Sequence, residues 1–323
     1  MSHTKKIYDY VIFHKNCIDG FTGFFILNNT HTIKKNAFIF ADVPSAKTPP
    51  LNLTDKNVII IDVAYKYEVL KQIMSVAHKV TFIDHHITIK DDVLKIIDEL
   101  QNKNHEVIYD EFMSGASLVW KYFYPNKKMP LFIKYVEDND IGAWKLKHTI
   151  DFISGLETNY NFDLTHNNIS HWYNLYNINE INNIIKKGHI YNEYKQFLTN
   201  NNAKRYSLEL FPSTKIYEKF PSFFKKPGQF IVAVYCGSGC PNTTTLGKKI
   251  LDSVNCDFVI MWSLNLDKKD YVLAFRSISV DVGIIASIFD GGGHKLAAAC
   301  SFNMNKYNIQ DLFFPSSLPR SSK

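Results

Sequence analysis

Short apolar runs that end in a carboxylate or an imidazole, alternating with amphipathic stretches, constrain this chain more than any other feature. Val58-Ile-Ile-Ile-Asp62 and Lys79-Val-Thr-Phe-Ile-Asp84 are the clearest, with the amphipathic segment Tyr67 to His78 between them. Runs this apolar leave no polar face for water, so they read as strands covered on both sides; strands separated by helical patterns build parallel βαβ units. The series opens with Tyr8 to His14 and Gly20 to Asn28, and its last helical member runs from Asp91 to Lys103. Residues 1–150 are therefore expected to form a doubly wound, mostly parallel α/β domain.

Within that domain, Asp42 to Pro50 carries several breakers and reads as a surface loop. Ser114 to Tyr124 reads as a helix with Ser114 as its N-cap, and Leu131 to Val136 as a helix that stops before an acidic turn, Glu137-Asp-Asn-Asp140. Residues 151–205 are polar and Asn-rich, with Ile181 to Phe197 the clearest helix, and are expected to form a helical linker. A second series follows: strand Gln229 to Tyr235, helix Thr243 to Ser253, strands Cys256 to Ser263 and Tyr271 to Ser277, helix Val282 to Phe289. It implies a smaller mixed α/β domain over 206–313, then a frayed tail over 314–323.

The length of 323 residues suits two domains rather than one core. Hydrophobic residues make up 46% and charged residues 21%, and no apolar run approaches the roughly 20 residues that cross a bilayer. No apolar leader follows Met1, so a cytoplasmic location without membrane association is expected. The five cysteines form no CxxC pair, which argues against a disulfide framework or a thiolate zinc site. A formal net charge of +6 favours an anionic partner, although the lysines are scattered. A homodimer is compatible with the sequence.

The chemistry-bearing residues gather at element ends: His14, Cys17 and Asp19; Asp62; Asp84-His85-His86; and Asp138 with Asp140. Singly, a strand-end Asp is an ordinary cap or turn former. Together, hard carboxylates and imidazoles without a thiolate majority suit Mn²⁺, with Mg²⁺ as the alternative. Two such ions about 3.5 to 4 Å apart would acidify a shared water and clamp the oxygens of a phosphoryl displacement. Asp62, alone at its strand end, is the natural bridge. Further on, Gly291, Gly292 and Gly293 allow backbone to approach an anion, with His294 placed to donate. Arg276 is a candidate phosphate clamp.

These motifs, in this order, resemble the DHH phosphoesterase superfamily. Asp19-Gly20, Asp62, Asp84-His85-His86 and Asp138 resemble its N-terminal motifs, and Asp290-Gly-Gly-Gly-His294 resembles the GGGH signature of the associated C-terminal domain in RecJ-like exonucleases and small oligonucleotide phosphodiesterases. The resemblance covers nearly the whole chain and implies an active site in the cleft between the two domains. It implies His14, Asp19, Asp62, His85 and Asp138 as metal ligands and His86 as the catalytic residue facing the scissile phosphate. Asp84 would assist by orienting a histidine, and Asp140 is a second candidate beside Asp138. The first motif departs from the family pattern: Cys17 stands where an Asp is usual, and His14 lies one residue closer. Cys17 would either weaken one hard-cation site or bind as thiolate.

The resemblance implies a metal-dependent phosphohydrolase acting on nucleotides or short single-stranded oligonucleotides. Two other readings stay open: a non-catalytic nucleotide-binding homologue, and a pyrophosphatase or exopolyphosphatase.

Overall fold

The computed structural model describes residues 6–44, 46–99, 105–237 and 242–314. The chain divides into two compact units, Met1–Asn192 and Glu193–Lys323. The tail expectation for 315–323 and the segment 238–241 fall outside the described residues.

The first unit runs β1 (Tyr8–His14), α1 (Ile18–Asn28), β2 (Ile33–Asp42), β3 (Asn57–Ile61), α2 (Tyr67–Val76), β4 (Lys79–Asp84), α3 (Lys90–Glu99), β5 (Glu106–Tyr109), α4 (Gly115–Phe123), α5 (Leu131–Asp140), α6 (Thr149–Asn159), α7 (His166–Trp172) and α8 (Ile178–Asn202), the last crossing into the second unit. Its five strands form one sheet in the order β2-β1-β3-β4-β5 with every pairing parallel. The period-2 alternation of strand side chains splits the apolar runs between two cores. Val11, Phe13, Ile59, Ile61 and Ile83 face a core built with α1, α4, α5 and α6, while Tyr10, Ile12, Val58, Ile60, Val80 and Phe82 face one built with α2 and α3. Val58 to Ile61 are wholly buried, each side chain contributing about 1.5–3 kcal/mol to folding. The doubly wound sheet expected from the apolar runs is thus present.

Two local readings change. The helix expected to stop at Val136 continues through Asp140, so the acidic tetrad is the last turn of α5 rather than a loop. The polar stretch from Thr149 onward is helical, and its first part packs into the first unit: Phe152, Leu156, Trp172, Leu175 and Ile184 are fully buried in the same core as α1. Trp172 also donates its indole N–H to the Asn161 carbonyl at 2.9 Å.

The second unit holds β6 (Ser207–Phe211), α9 (Thr214–Lys219), β7 (Phe230–Cys236), α10 (Thr243–Ser253), β8 (Phe258–Asn265), β9 (Asp270–Ser277), α11 (Val282–Ser287), β10 (Gly292–His294) and β11 (Ala297–Asn303). They form a six-stranded sheet in the order β10-β11-β9-β8-β7-β6, in which β7 and β8 are parallel and the other pairs antiparallel. Among the described residues no helix is long and apolar enough to cross a membrane.

Candidate metal centre

A parallel sheet of order 2-1-3-4-5 reverses its winding between β1 and β3, and the carboxyl ends of those strands open the crevice in which such folds bind ligands. His14 ends β1 and Asp62 follows β3, and these strands are direct neighbours, Phe13 pairing with Ile61. Asp84 ends β4 on the far side of β3. The strand order alone therefore gathers three of the sequence-predicted positions.

Local geometry then aims them. Asp62 adopts a left-handed backbone, φ 61°, as does Asn16 at φ 55° in the turn after His14. Asp and Asn tolerate this region best among non-glycine residues, and strain of this kind clusters at functional sites. α1 begins next to that turn and carries Asp19 in its first turn. Gly20 permits the approach: a Cβ there would lie 2.6 Å from the His14 Cβ. α4 closes the site from the other side. Ser114 caps it by accepting from the Ser117 N–H at 3.3 Å, and the Ala116 N–H donates to Asp19 Oδ1 at 3.1 Å.

Asp62 sits at the centre. Its Oδ2 lies 3.4 Å from His14 Nδ1 and 3.4 Å from Cys17 Sγ. Its Oδ1 lies 3.2 Å from His85 Nε2 and 3.7 Å from His86 Nδ1. His85 Nε2 is in turn 3.2 Å from Asp140 Oδ2 and 3.9 Å from Asp19 Oδ2. Three overlapping groups have ligand atoms within 4.8 Å of one another: His14, Cys17 and Asp62; Asp62, His85 and His86; Asp19, His85 and Asp140.

The structure corrects one residue role. Asp138 is buried but turned away: its carboxylate accepts from the backbone N–H groups of Lys145 and Leu146 and from the Thr149 hydroxyl, so it ties down the chain after α5. Asp140 takes the place at the cluster. Two residues apart on a helix, the two carboxylates point about 200° apart, so only one can face the site. Ile133, Val136 and Asp140 stand at helical spacing on one face, a signal that extending the helix would have exposed. Asp84 is not itself presented for chemistry. Its Oδ1 takes the backbone N–H groups of His85 and His86 at 2.7 and 2.9 Å and contacts His86 Nδ1 at 2.9 Å, so it acts by fixing His86.

The charges show what the cluster lacks. Burial, with the Asp62 and Asp140 carboxylates beside it, pushes Asp19 well above the usual carboxylate range. Burial would raise Asp62 as well, but His14, His85 and His86 outweigh it and hold Asp62 at about 2. For His85, burial favours the neutral ring, yet Asp62, Asp19 and Asp140 together raise it to about 9. Burial lifts Asp140 to about 6, with Asp62 adding to the shift and His85 opposing it. Burial and the same carboxylates push the Cys17 thiol up.

Four buried polar atoms of the cluster make no hydrogen bond: His14 Nδ1, Asp19 Oδ2, Asp62 Oδ1 and His85 Nε2. Orphaned donors and acceptors on this scale are costly unless something else satisfies them. Hard oxygen and imidazole donors around a shared carboxylate fit a pair of divalent cations. A cavity of about 310 Å³ opens beside them, lined by His14, Cys17, Asp19 and Asp140 together with Asn16 and Glu157, and among the described residues no Lys or Arg lines it. Gly115 and Glu157 were invisible as site residues in the sequence because long-range packing alone brings them there.

The remaining predicted residues lie in the second unit. Arg276 on β9 pairs with Ala297 on β11, which pairs with His294 on β10. Directly opposed residues share a sheet face, so Arg276 and His294 lie in one row about 10 Å apart across a small Ala. The Arg276 guanidinium bonds the Thr243 and Thr244 hydroxyls at the start of α10 and the Phe275 carbonyl. Gly291, Gly292 and Gly293 lead into and form the exposed edge strand, and a Cβ on Gly292 would meet open space.

No family profile matches the chain. It is similar to an uncharacterized protein of Acanthamoeba polyphaga mimivirus, 27% identical over 312 residues, covering 91% of this chain and 68% of that one. Among solved structures it is similar to the pGpG-specific phosphodiesterase PggH of Vibrio cholerae, with 14% identity, 92% of this chain and 94% of that one covered, and a TM-score of 0.49. An exopolyphosphatase-related protein from Bacteroides fragilis gives 14% identity, coverages of 92% and 87%, and a TM-score of 0.40. RecJ from Thermus thermophilus, solved in complex with Mn²⁺, gives 12% identity, coverages of 92% and 49%, and a TM-score of 0.35.

Proposed function

We propose that this chain is a metal-dependent phosphohydrolase of the DHH superfamily, cleaving phosphoester bonds of nucleotides or short oligonucleotides. One observation carries the reading. Buried ligand atoms of His14 and His85 without hydrogen-bond partners converge on the Asp62 carboxylate at the sheet's switch point, with the unpartnered Asp19 Oδ2 beside His85. His14, Cys17, Asp19, Asp62, His85 and Asp140 would hold the ions, Mn²⁺ or alternatively Mg²⁺. When bound, these ions supply the positive charge that the cavity's own residues lack and make a water acidic enough to attack phosphorus.

The protein's residues do the rest. Asp62 ties the two halves of the site together, one oxygen facing each. Asp84 holds His86 by Nδ1, so the ring keeps one orientation toward a substrate. Burial disfavours the imidazolium of His86, but Asp84 and Asp62 outweigh it and raise its pKa, which suits a proton donor to the leaving oxygen. In the second unit, Arg276 and the Gly291 to His294 strand would bind an anionic group of the substrate.

The test is hydrolysis of 5′-labelled pGpG and short RNA, with pyrophosphate alongside, by metal-stripped protein before and after adding Mn²⁺. Mn²⁺-dependent release of mononucleotides, abolished in folded Asp62→Asn, is expected. Near-normal rates in Asp62→Asn would sink the mechanism, and nucleotide binding without turnover would turn the reading to a non-catalytic binding protein.

A further inference from the structure

The two oxygens of Asp62 face chemically unlike partners. Oδ2 meets the His14 imidazole and the Cys17 sulfur, each at 3.4 Å. Oδ1 meets His85, behind which stand the carboxylates of Asp140 and Asp19. One side of the bridge thus offers nitrogen, sulfur and a single carboxylate; the other offers the His85 imidazole, with His86 3.7 Å from the same oxygen, among three carboxylates. The cysteine does not stand alone there. Asp62 is 1% exposed, the buried His14 Nδ1 beside it lacks a hydrogen-bond partner, and His14, Cys17 and Asp62 bring ligand atoms within 4.8 Å of one another.

The spacing also fits a particular kind of ion. Around a tetrahedral cation with nitrogen and oxygen ligands at about 2.0–2.1 Å and sulfur at about 2.3 Å, neighbouring ligand atoms stand about 3.3–3.6 Å apart. Both separations to Asp62 Oδ2 fall in that range. Sulfur donors select softer cations, whereas carboxylate-rich shells select Mn²⁺ and Mg²⁺.

We propose that the centre is chemically asymmetric: the His14, Cys17 and Asp62 position takes a thiophilic divalent cation of the Zn²⁺ class with Cys17 as a ligand, and the Asp19, His85 and Asp140 position takes a hard one. The proposal rests on the reading of this cluster as a metal centre. Coordination replaces the Cys17 S–H bond with a sulfur–metal bond, and the proton passes to solvent.

The test is titration of the metal-stripped full chain with Co²⁺, followed by equilibrium dialysis and by absorption. Wild type should develop the near-ultraviolet thiolate-to-cobalt charge-transfer band, and Cys17→Ser should lose it. Cys17→Asp, which restores a carboxylate and guards against a folding defect in the first variant, should bind Co²⁺ without the band. Wild type should also keep one equivalent of Zn²⁺ through dialysis against excess Mn²⁺, and Cys17→Asp should not. Co²⁺ bound by wild type without the band would mean that Cys17 only donates an S–H hydrogen bond to Asp62. That would overturn this proposal and leave the metal-centre reading standing. A band that survives in Cys17→Asp would overturn it too, by moving the ligand to another cysteine. Failure to bind Co²⁺, Zn²⁺ or Mn²⁺ at all would overturn both.

Discussion

Gly115→Ala puts the packing of the centre to a quantitative test. Gly115 is the first residue of α4, where alanine would ordinarily be the better residue, by up to about 1 kcal/mol. Here its Cβ would fall 2.8 Å from Asp19 Oδ2 and 2.8 Å from the Asp62 Cβ. Comfortable contact needs about 3.5 Å, so the two carboxylates or α4 must yield by about 0.7 Å. Overpacking of this kind costs about 1–3 kcal/mol, which the gain in helix propensity partly offsets, so the metal-stripped variant should lose less than about 3 kcal/mol.

The site should suffer far more than the fold. Displacements near 1 Å cost on the order of 100-fold where geometry matters. At a Mn²⁺ concentration 100 times the wild-type Kd, binding adds about 2.7 kcal/mol, whereas a 100-fold weaker site gains about 0.4 kcal/mol. For a unit of this size that is a rise in Tm of about 5–10 °C reduced to about 1–2 °C. Thermal unfolding with and without Mn²⁺ reads the difference. A variant that keeps the full Mn²⁺-dependent gain would refute the claim that α4 positions Asp19 and Asp62.

Two further substitutions separate neighbours on one helix. Asp138→Asn should cost about 1–3 kcal/mol of stability through its loop hydrogen bonds and leave the Mn²⁺-dependent Tm gain intact; loss of that gain would contradict its assignment. Asp140→Asn should abolish the gain while leaving the metal-stripped protein no less stable at pH 8. The Asp140 carboxyl, held up to about 6 from 3.8, makes ionisation a cost to the folded state that appears as pH rises through that interval. At the other end of the sheet, Glu106 accepts from Lys6, Tyr122 and Lys79. Burial pushes its carboxyl up, but these three donors outweigh it and bring it down from 4.5 to about 2. Its contribution is therefore fully present above about pH 4.5 and is lost as pH falls through about 2. Because the pair with Lys6 is partly exposed, Glu106→Gln should cost only about 1 kcal/mol at pH 7. Urea midpoints of the two proteins should converge at low pH, and a constant gap would count against the ion pair.

Much of the first sheet was legible because β1, β3 and β4 are buried on both faces and read as unbroken apolar runs. The edge strands β2 and β5 escaped notice: β2 begins with the exposed Lys34, Lys35 and Asn36, which break the pattern ahead of its apolar run Ala37 to Ala41, and β5 spans only Glu106 to Tyr109. The end of α5 was misplaced because Asp and Asn residues resemble turn formers, although nothing in Glu137 to Asp140 forbids a helix. The polar surface of α6 to α8 hid the few large side chains, Trp172 above all, that bind them to the first unit. At the site, each ligand candidate stood out by its position at an element end. What the chain could not display locally was contact across it: Gly115 against Asp19 and Asp62, and the turn of α5 that presents Asp140 instead of Asp138.

Anomalous diffraction at the manganese edge, from crystals soaked in excess Mn²⁺, tests the central claim most directly. With every other divalent cation stripped beforehand, so that Mn²⁺ alone is offered to the softer position as well, two peaks should flank Asp62, one bounded by Asp19, His85 and Asp140 and the other by His14 and Cys17. The absence of any peak at Asp62, or a peak bound by Asp138 in place of Asp140, would contradict it.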